Sequence, residues 1–288
     1  MRAFNCIIPR NLDEALQAMA NGDARALAGG SDLIDQIRVG RRTPSIVVDI
    51  KNIPEMRRLE YTEDDGLHVG AGVSCTDTAQ YEPVGNHFPS IKESCLLVGS
   101  LQIQNRASIA GNVCNAAPSG DTIPSLLTYG AKALIAGPKG MREVLVEELF
   151  LGPSRTVIEP EELLVEIIVP PPPINSSGHY LRFIPREEMD IAVVGSASMV
   201  SVDPTTKQCL KARIALASVA PTPIRAKQAE SALEGQILTP SKILEASKLA
   251  SNDATPIADV RGSVQYRKDL CEVLTRRTLE HCLSDLGI

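Results

Sequence analysis

Residues 27–34 read LAGGSDLI, and residues 107–121 read ASIAGNVCNAAPSGD. In the first, Gly29 and Gly30 lie between an apolar run and a Ser-Asp pair. Glycine lets a backbone turn sharply and approach a ligand closely. A helix start beyond it offers unpaired N–H groups and a positive dipole end. Together they suit a phosphate or pyrophosphate. The same residues also fit an ordinary turn with a helix cap. The second stretch holds Gly111, Asn112, Asn115, Ser119, Gly120 and Asp121 within fifteen positions. Its amides and hydroxyls suit ribityl hydroxyls, phosphate or the edge of a heterocycle, or serve the loop's own backbone.

Other chemistry is poorly represented. VGAGVSC carries Gly70 and Gly72 but a cysteine in place of the third glycine of GxGxxG, which argues against a Rossmann site. No GxxxxGK[ST] run occurs. The four histidines, His68, His87, His179 and His281, form no HxH or HExxH pattern, and the seven cysteines include no CxxC pair. Spacing along the chain therefore predicts no metal site and no iron–sulfur cluster. No Ser-His-Asp set or acid–base pair stands out, so no catalytic residue is expected.

The elements that must position the two stretches alternate early in the chain. Asn11 is placed to cap a helix over NLDEALQAMA. RALAGG reads as a strand and SDLIDQIRVG as a helix capped by Ser31 or Asp32, followed by the buried strand SIVVDI. That order implies a small parallel α/β unit. GLHVGAGVSC reads as a glycine-interrupted strand and FPSIKESCLLVGS as a helix. AKALIAGPKG and REVLVEEL read as two strands joined by a turn. Pro170–Pro173 form the strongest boundary in the chain, because proline stops both ladders and helices. Beyond it come three strand-like segments, HYLRFIPR, AVVGSASMVSVD and ARIALASVA. Helices follow over about 225–234 and 263–285.

Composition narrows the function further. A formal net charge of −6 argues against a nucleic-acid surface. The absence of Trp and an aromatic content of 3% argue against base stacking. No apolar run approaches the roughly 18 residues of a membrane span. The N-terminal MRAFNCIIPRNLDEAL lacks a signal peptide's apolar core. An odd number of unpaired-looking cysteines fits reduced thiols in a cytoplasmic protein.

LAGGSDLI and ASIAGNVCNAAPSGDTIPSLL resemble the two FAD-binding loops of the medium, flavin-carrying subunit of molybdenum hydroxylases, the carbon monoxide dehydrogenase and xanthine dehydrogenase-like enzymes. ELLVEIIVP, REEMDIAVVGSA, IALASVAPTPIRA and RGSVQYRKDL agree in order along nearly the whole chain. The resemblance implies an α+β protein. Its FAD-binding domain is of the two-lobed PCMH, vanillyl-alcohol-oxidase-like type over residues 1–173, with lobes at about 1–52 and 53–173. A C-terminal domain over 174–288 holds a three-stranded antiparallel sheet with helices.

The resemblance also implies residue roles. Ala28, Gly29, Gly30, Ser31 and Asp32, with Leu33 beside them, supply backbone N–H groups to the FAD pyrophosphate. Ser108, Ile109, Ala110, Gly111 and Asn112 close around the phosphates and the ribityl-isoalloxazine side. Asp121 hydrogen-bonds the cofactor and Leu164 lines its site. Arg182 stands where xanthine dehydrogenase-like members carry a cofactor-proximal Lys, and Ile191 where a Tyr or Ile covers a flavin face. Ala110-Gly111 replaces the usual Gly-Gly and Ser31 the usual His or Thr; neither change removes a backbone donor. The four-cysteine insertion of some relatives is missing. The implied partners are a small subunit with two [2Fe-2S] clusters and a large subunit with a molybdopterin-type molybdenum cofactor, in a dimer of heterotrimers that serves an external electron acceptor. The alternative is a stand-alone FAD-dependent oxidoreductase of the same fold, and beyond it a scaffold subunit without cofactor. The near-complete match and the missing acid–base set favour the subunit.

Overall fold

The computed structural model describes residues 2–20 and 23–288. The chain opens with β1 (Asn5–Ile7), α1 (Leu12–Met19), β2 (Ala24–Leu27), α2 (Leu33–Arg38) and β3 (Ile46–Asp49). Both β1 and β2 run parallel to the central β3, so the sheet order is β1-β3-β2. Asn11 caps α1 as expected, its side chain accepting the Glu14 N–H at 2.8 Å.

A single 3₁₀ turn at Glu55–Arg57 leads to β4 (Leu59–Thr62) and β5 (Gly66–Gly70). Then come α3 (Cys75–Gln80), α4 (Glu82–His87), α5 (Pro89–Leu97), α6 (Leu101–Gln104), α7 (Ile109–Asn115) and α8 (Thr122–Tyr129). The strands β6 (Lys132–Gly137), β7 (Gly140–Leu145), β8 (Phe150–Gly152), β9 (Arg155–Thr156) and β10 (Leu163–Val169) complete the region. Five strands form an antiparallel sheet in the order β4-β5-β10-β6-β7. The glycines of VGAGVSC serve packing: Gly70 and Gly72 donate their N–H groups to Arg58 O and Met56 O at 2.7 Å each. A Cβ on either would press into the Met56 backbone. The sheet around them is antiparallel, unlike a dinucleotide-binding βαβ unit.

The last part comprises β11 (Ser176–Phe183), β12 (Val194–Val202), β13 (Cys209–Ala217), β14 (Ile224–Arg225), α9 (Lys227–Leu233), α10 (Pro240–Asp253) and α11 (Val264–Asp285). The three long antiparallel strands are the expected ones, and the short β14 extends the sheet on the β13 side. The helix α10 is not among the elements expected from the residue pattern. Its lysines, serines and asparagine give it a weak apolar stripe, and its buried face is mostly Ile243, Ala246 and Ala250.

Two hydrophobic clusters result, one beneath the first two sheets and one between the last sheet and α9–α11. At their junction α8 is buried at every residue. It packs on α5 and α7 on one side and on β12 and β13 on the other. Its buried hydroxyls are satisfied, Ser125 donating to Ser90 O at 2.9 Å and Thr128 to Ser125 O at 2.8 Å, so the helix can be enclosed on all sides. All seven cysteines are free thiols. Among the described residues no helix is long and apolar enough to cross a membrane.

Candidate functional site

The first predicted stretch forms the turn between β2 and α2. Gly30 takes φ +78°, a left-handed conformation that favours glycine. Its neighbour Gly29 packs directly on the second stretch, and a Cβ there would collide with the carbonyl oxygen of Arg106. The cap expected from Ser31 or Asp32 is not made. Asp32 already has helical angles, φ −95° and ψ −48°, and its side chain makes no capping bond. An N-cap normally needs an extended backbone for its side chain to reach back to the first turn. The backbone N–H groups from Gly29 to Leu33 consequently make no hydrogen bond to any described residue. Ser31 and Asp32 are exposed.

The second stretch carries a helix, α7, at its centre, where the sequence suggested a loop. Ser108 is extended at φ −122° and caps α7, its hydroxyl accepting the Gly111 N–H at 3.0 Å. Within the first turn the N–H groups of Ile109 and Ala110 have no intrahelical partner. Asn112 faces the following turn, where its Oδ1 accepts the Thr122 hydroxyl at 2.8 Å. Gly120 lies so close to Asn112 Oδ1 that a Cβ would come within 2.8 Å of it. A bond from Gln36 Nε2 to Asn115 Oδ1, 3.2 Å, joins α2 to α7. The two stretches therefore form one continuous edge, with α7 packed on the β10 strand that carries buried Leu164.

At the far end of this edge Asp121 directly precedes α8. Its Oδ1 accepts the Tyr180 hydroxyl at 2.9 Å and its Oδ2 accepts Arg182 Nη1 at 2.7 Å. The pair is buried, with side-chain exposures of 12% for Asp121 and 4% for Arg182. Burial pushes the Asp121 carboxyl up to about 6, against the opposing pull of Arg182 and Tyr180. Arg182 Nε is buried without a hydrogen-bond partner, a donor of the kind that a ligand acceptor would complete. Tyr180 was not singled out in the sequence. Its hydroxyl is what anchors Asp121, and alternation along HYLRF places it on the same face of β11 as Arg182. Ile191 lies apart on the segment between β11 and β12, about half exposed, its N–H held by Asp190 at 2.8 Å.

These features fit a dinucleotide: a turn with five free backbone donors, a helix start with two more, and a buried cation with an orphaned donor. The expectation of no metal ligand rested on chain spacing alone. The fold gathers His179, His281 and Glu93 into one cluster, with Glu93 also accepting the Tyr180 N–H.

Comparison with known proteins decides the family. Residues 2–172 match the FAD binding domain in molybdopterin dehydrogenase. The chain belongs to this family of flavin-binding subunits. Residues 179–282 match the CO dehydrogenase flavoprotein C-terminal domain. The chain is 31% identical to the carbon monoxide dehydrogenase medium chain of Afipia carboxidovorans, covering 96% of each. It is 29% identical to the xanthine dehydrogenase FAD-binding subunit of Escherichia coli over 96% of this chain and 94% of that one. A solved carbon monoxide dehydrogenase from Hydrogenophaga pseudoflava, one lacking the Mo-pyranopterin moiety, contains a chain that superposes with a TM-score of 0.93. That chain is 28% identical, with 98% of each covered.

Proposed function

We propose that this chain holds FAD non-covalently as the flavoprotein subunit of a molybdenum hydroxylase, with residues 1–173 as the FAD-binding domain and 174–288 as the C-terminal domain. The observation that carries this reading is the seating of Gly29 against Arg106, which sets the free N–H groups of residues 29–33 beside the start of α7. FAD held here would supply the redox chemistry between the [2Fe-2S] clusters of a small partner subunit and an external acceptor.

The chain's own residues position and insulate. Backbone donors of Gly29, Gly30, Ser31, Asp32 and Leu33 bind the pyrophosphate, with those of Ile109 and Ala110 opposite them. Asn112, fixed by Thr122, and Asp121, fixed by Tyr180, present oxygens that are already oriented. Arg182 keeps a buried positive charge at this end of the site, balanced by Asp121. Leu164 would line the sheet side of the cofactor, and Ile191, about half exposed, would cover it from the segment between β11 and β12. No acid–base pair is required, because substrate is hydroxylated in the large molybdenum subunit. The relatives named as carbon monoxide and xanthine dehydrogenase subunits support this division of labour.

In this reading the assembly is a cytoplasmic dimer of heterotrimers. Purification of the native complex with flavin and metal analysis tests it. FAD, iron and molybdenum co-eluting with two partner chains is the expected result. A lone yellow protein that oxidises a substrate unaided would establish the stand-alone oxidoreductase instead.

A further inference from the structure

Beside the wall of the flavin edge, three ligating side chains from separate elements converge. They are Glu93 on α5, His179 on β11 and His281 on α11. One ligand atom from each lies within 4.8 Å of the other two. His179 Nδ1 is 2.8 Å from Glu93 Oε1, and the two imidazole rings are 3.7 Å apart between centroids, tilted by 32°. We propose that Glu93, His179 and His281 form a binding site for one divalent cation of the zinc class, bridging the N-terminal region to the C-terminal sheet and its last helix.

The donor set selects the cation. Two imidazoles and one carboxylate suit Zn²⁺ and its neighbours, whereas Ca²⁺ and Mg²⁺ take oxygen ligands. Three protein ligands leave a fourth tetrahedral position for water.

The supporting groups are in place. Glu93 Oε2 accepts the Tyr180 N–H at 2.8 Å, which fixes the carboxylate while Oε1 points at His179. Asp285 Oδ2 stands 3.8 Å from His281 Nε2 and is held by the Ser177 hydroxyl at 2.9 Å. At 3.8 Å the pair is beyond hydrogen-bond reach, and a small shift on metal binding would put this carboxylate behind the His281 imidazole, where such a partner sets tautomer and orientation. His179 is largely buried, with 13% of its side chain exposed, whereas His281 is 48% exposed, so the site has both a fixed wall and an entry path.

A cation here would pin α5 to β11 and α11. Glu93 also holds the backbone of Tyr180, whose hydroxyl anchors Asp121. The site therefore adjoins the wall of the flavin edge without sharing a ligand with it.

The test uses the full-length, FAD-loaded chain treated with chelator and then titrated with Zn²⁺, and in parallel with Co²⁺ as a spectroscopic probe. The proposal expects one equivalent of tightly bound metal, visible bands of four-coordinate Co²⁺ and a raised unfolding temperature. His281→Ala removes an exposed ligand, so the fold should survive, and it should weaken that binding by about a hundredfold or more. Asp285→Asn should weaken it by about tenfold. No stoichiometric uptake by the wild-type chain, or uptake that His281→Ala leaves unchanged, overturns the site. Either result leaves the flavin assignment untouched, because FAD content is measured separately.

Discussion

The starts of α2 and α7 lie side by side and are built in opposite ways. At α7 the extended Ser108 caps the helix, so the Gly111 N–H is already satisfied. At α2 the equivalent position, Asp32, is helical and caps nothing, and the N–H groups of residues 29–33 are left without partners in the chain. One start is partly closed by its own cap and keeps only the Ile109 and Ala110 N–H groups free, whereas the other leaves all five donors open to a ligand. The difference teaches that a binding turn is recognised less by its glycines than by the bonds its side chains fail to make.

The largest expected effect comes from breaking the contact between the two starts. Gly29→Val drives a side chain into the Arg106 carbonyl. It should cost about 3 kcal/mol of stability and leave the protein without flavin, read by visible absorbance per chain and by thermal unfolding.

Arg182→Met sharpens the comparison at the other end of the site. Removing one partner of a buried pair costs about 3 kcal/mol near neutral pH. The sign with pH follows from Asp121, whose carboxyl is pushed by burial above its ordinary value to about 6. The folded chain then binds more protons than the unfolded one between about 4 and about 6. Asp121's contribution to stability is complete below that window and is lost as pH rises through it. Without Arg182 the carboxyl shifts further up, so the variant's deficit should shrink as acid protonates Asp121. Unfolding midpoints of both proteins across the window check this, and a pH-independent deficit would refute it.

The smallest effects compare the two helix starts directly. Ser108→Ala deletes a working cap and should cost about 1 kcal/mol. Ser31→Ala deletes a hydroxyl that caps nothing and should change stability by no more than about 0.5 kcal/mol, with flavin content unaltered. Paired denaturant titrations would reveal equal costs if the comparison is wrong.

Much of this contrast was legible in the residue pattern, and its key detail was not. Gly29, Gly30, Gly111, Asn112 and Asp121 alone fitted a phosphate site or ordinary turns, and the paired resemblance of their two stretches to FAD-binding loops singled them out, while the long strands of the last sheet stood out by their β-branched runs. The cap at Asn11 was readable because asparagine stands directly before a run of apolar residues at helical spacing. Ser31-Asp32 offers the same capping residue types, yet Asp32 is already helical and caps nothing. Tyr180, Glu93, His179 and His281 gave no local signal, since their partners come from elements far apart in the chain. The helix α10 was hidden by its polar composition.

The central claim is that the edge formed by the two starts holds FAD. Gly111→Val tests it most directly, because a Cβ at Gly111 would meet only the Ser108 hydroxyl, at 3.1 Å, and the fold should tolerate it. The measurement is the flavin-to-chain ratio of the purified variant, taken alongside its unfolding temperature. The account predicts a folded chain with no flavin; a folded chain with the full wild-type complement of FAD would contradict it.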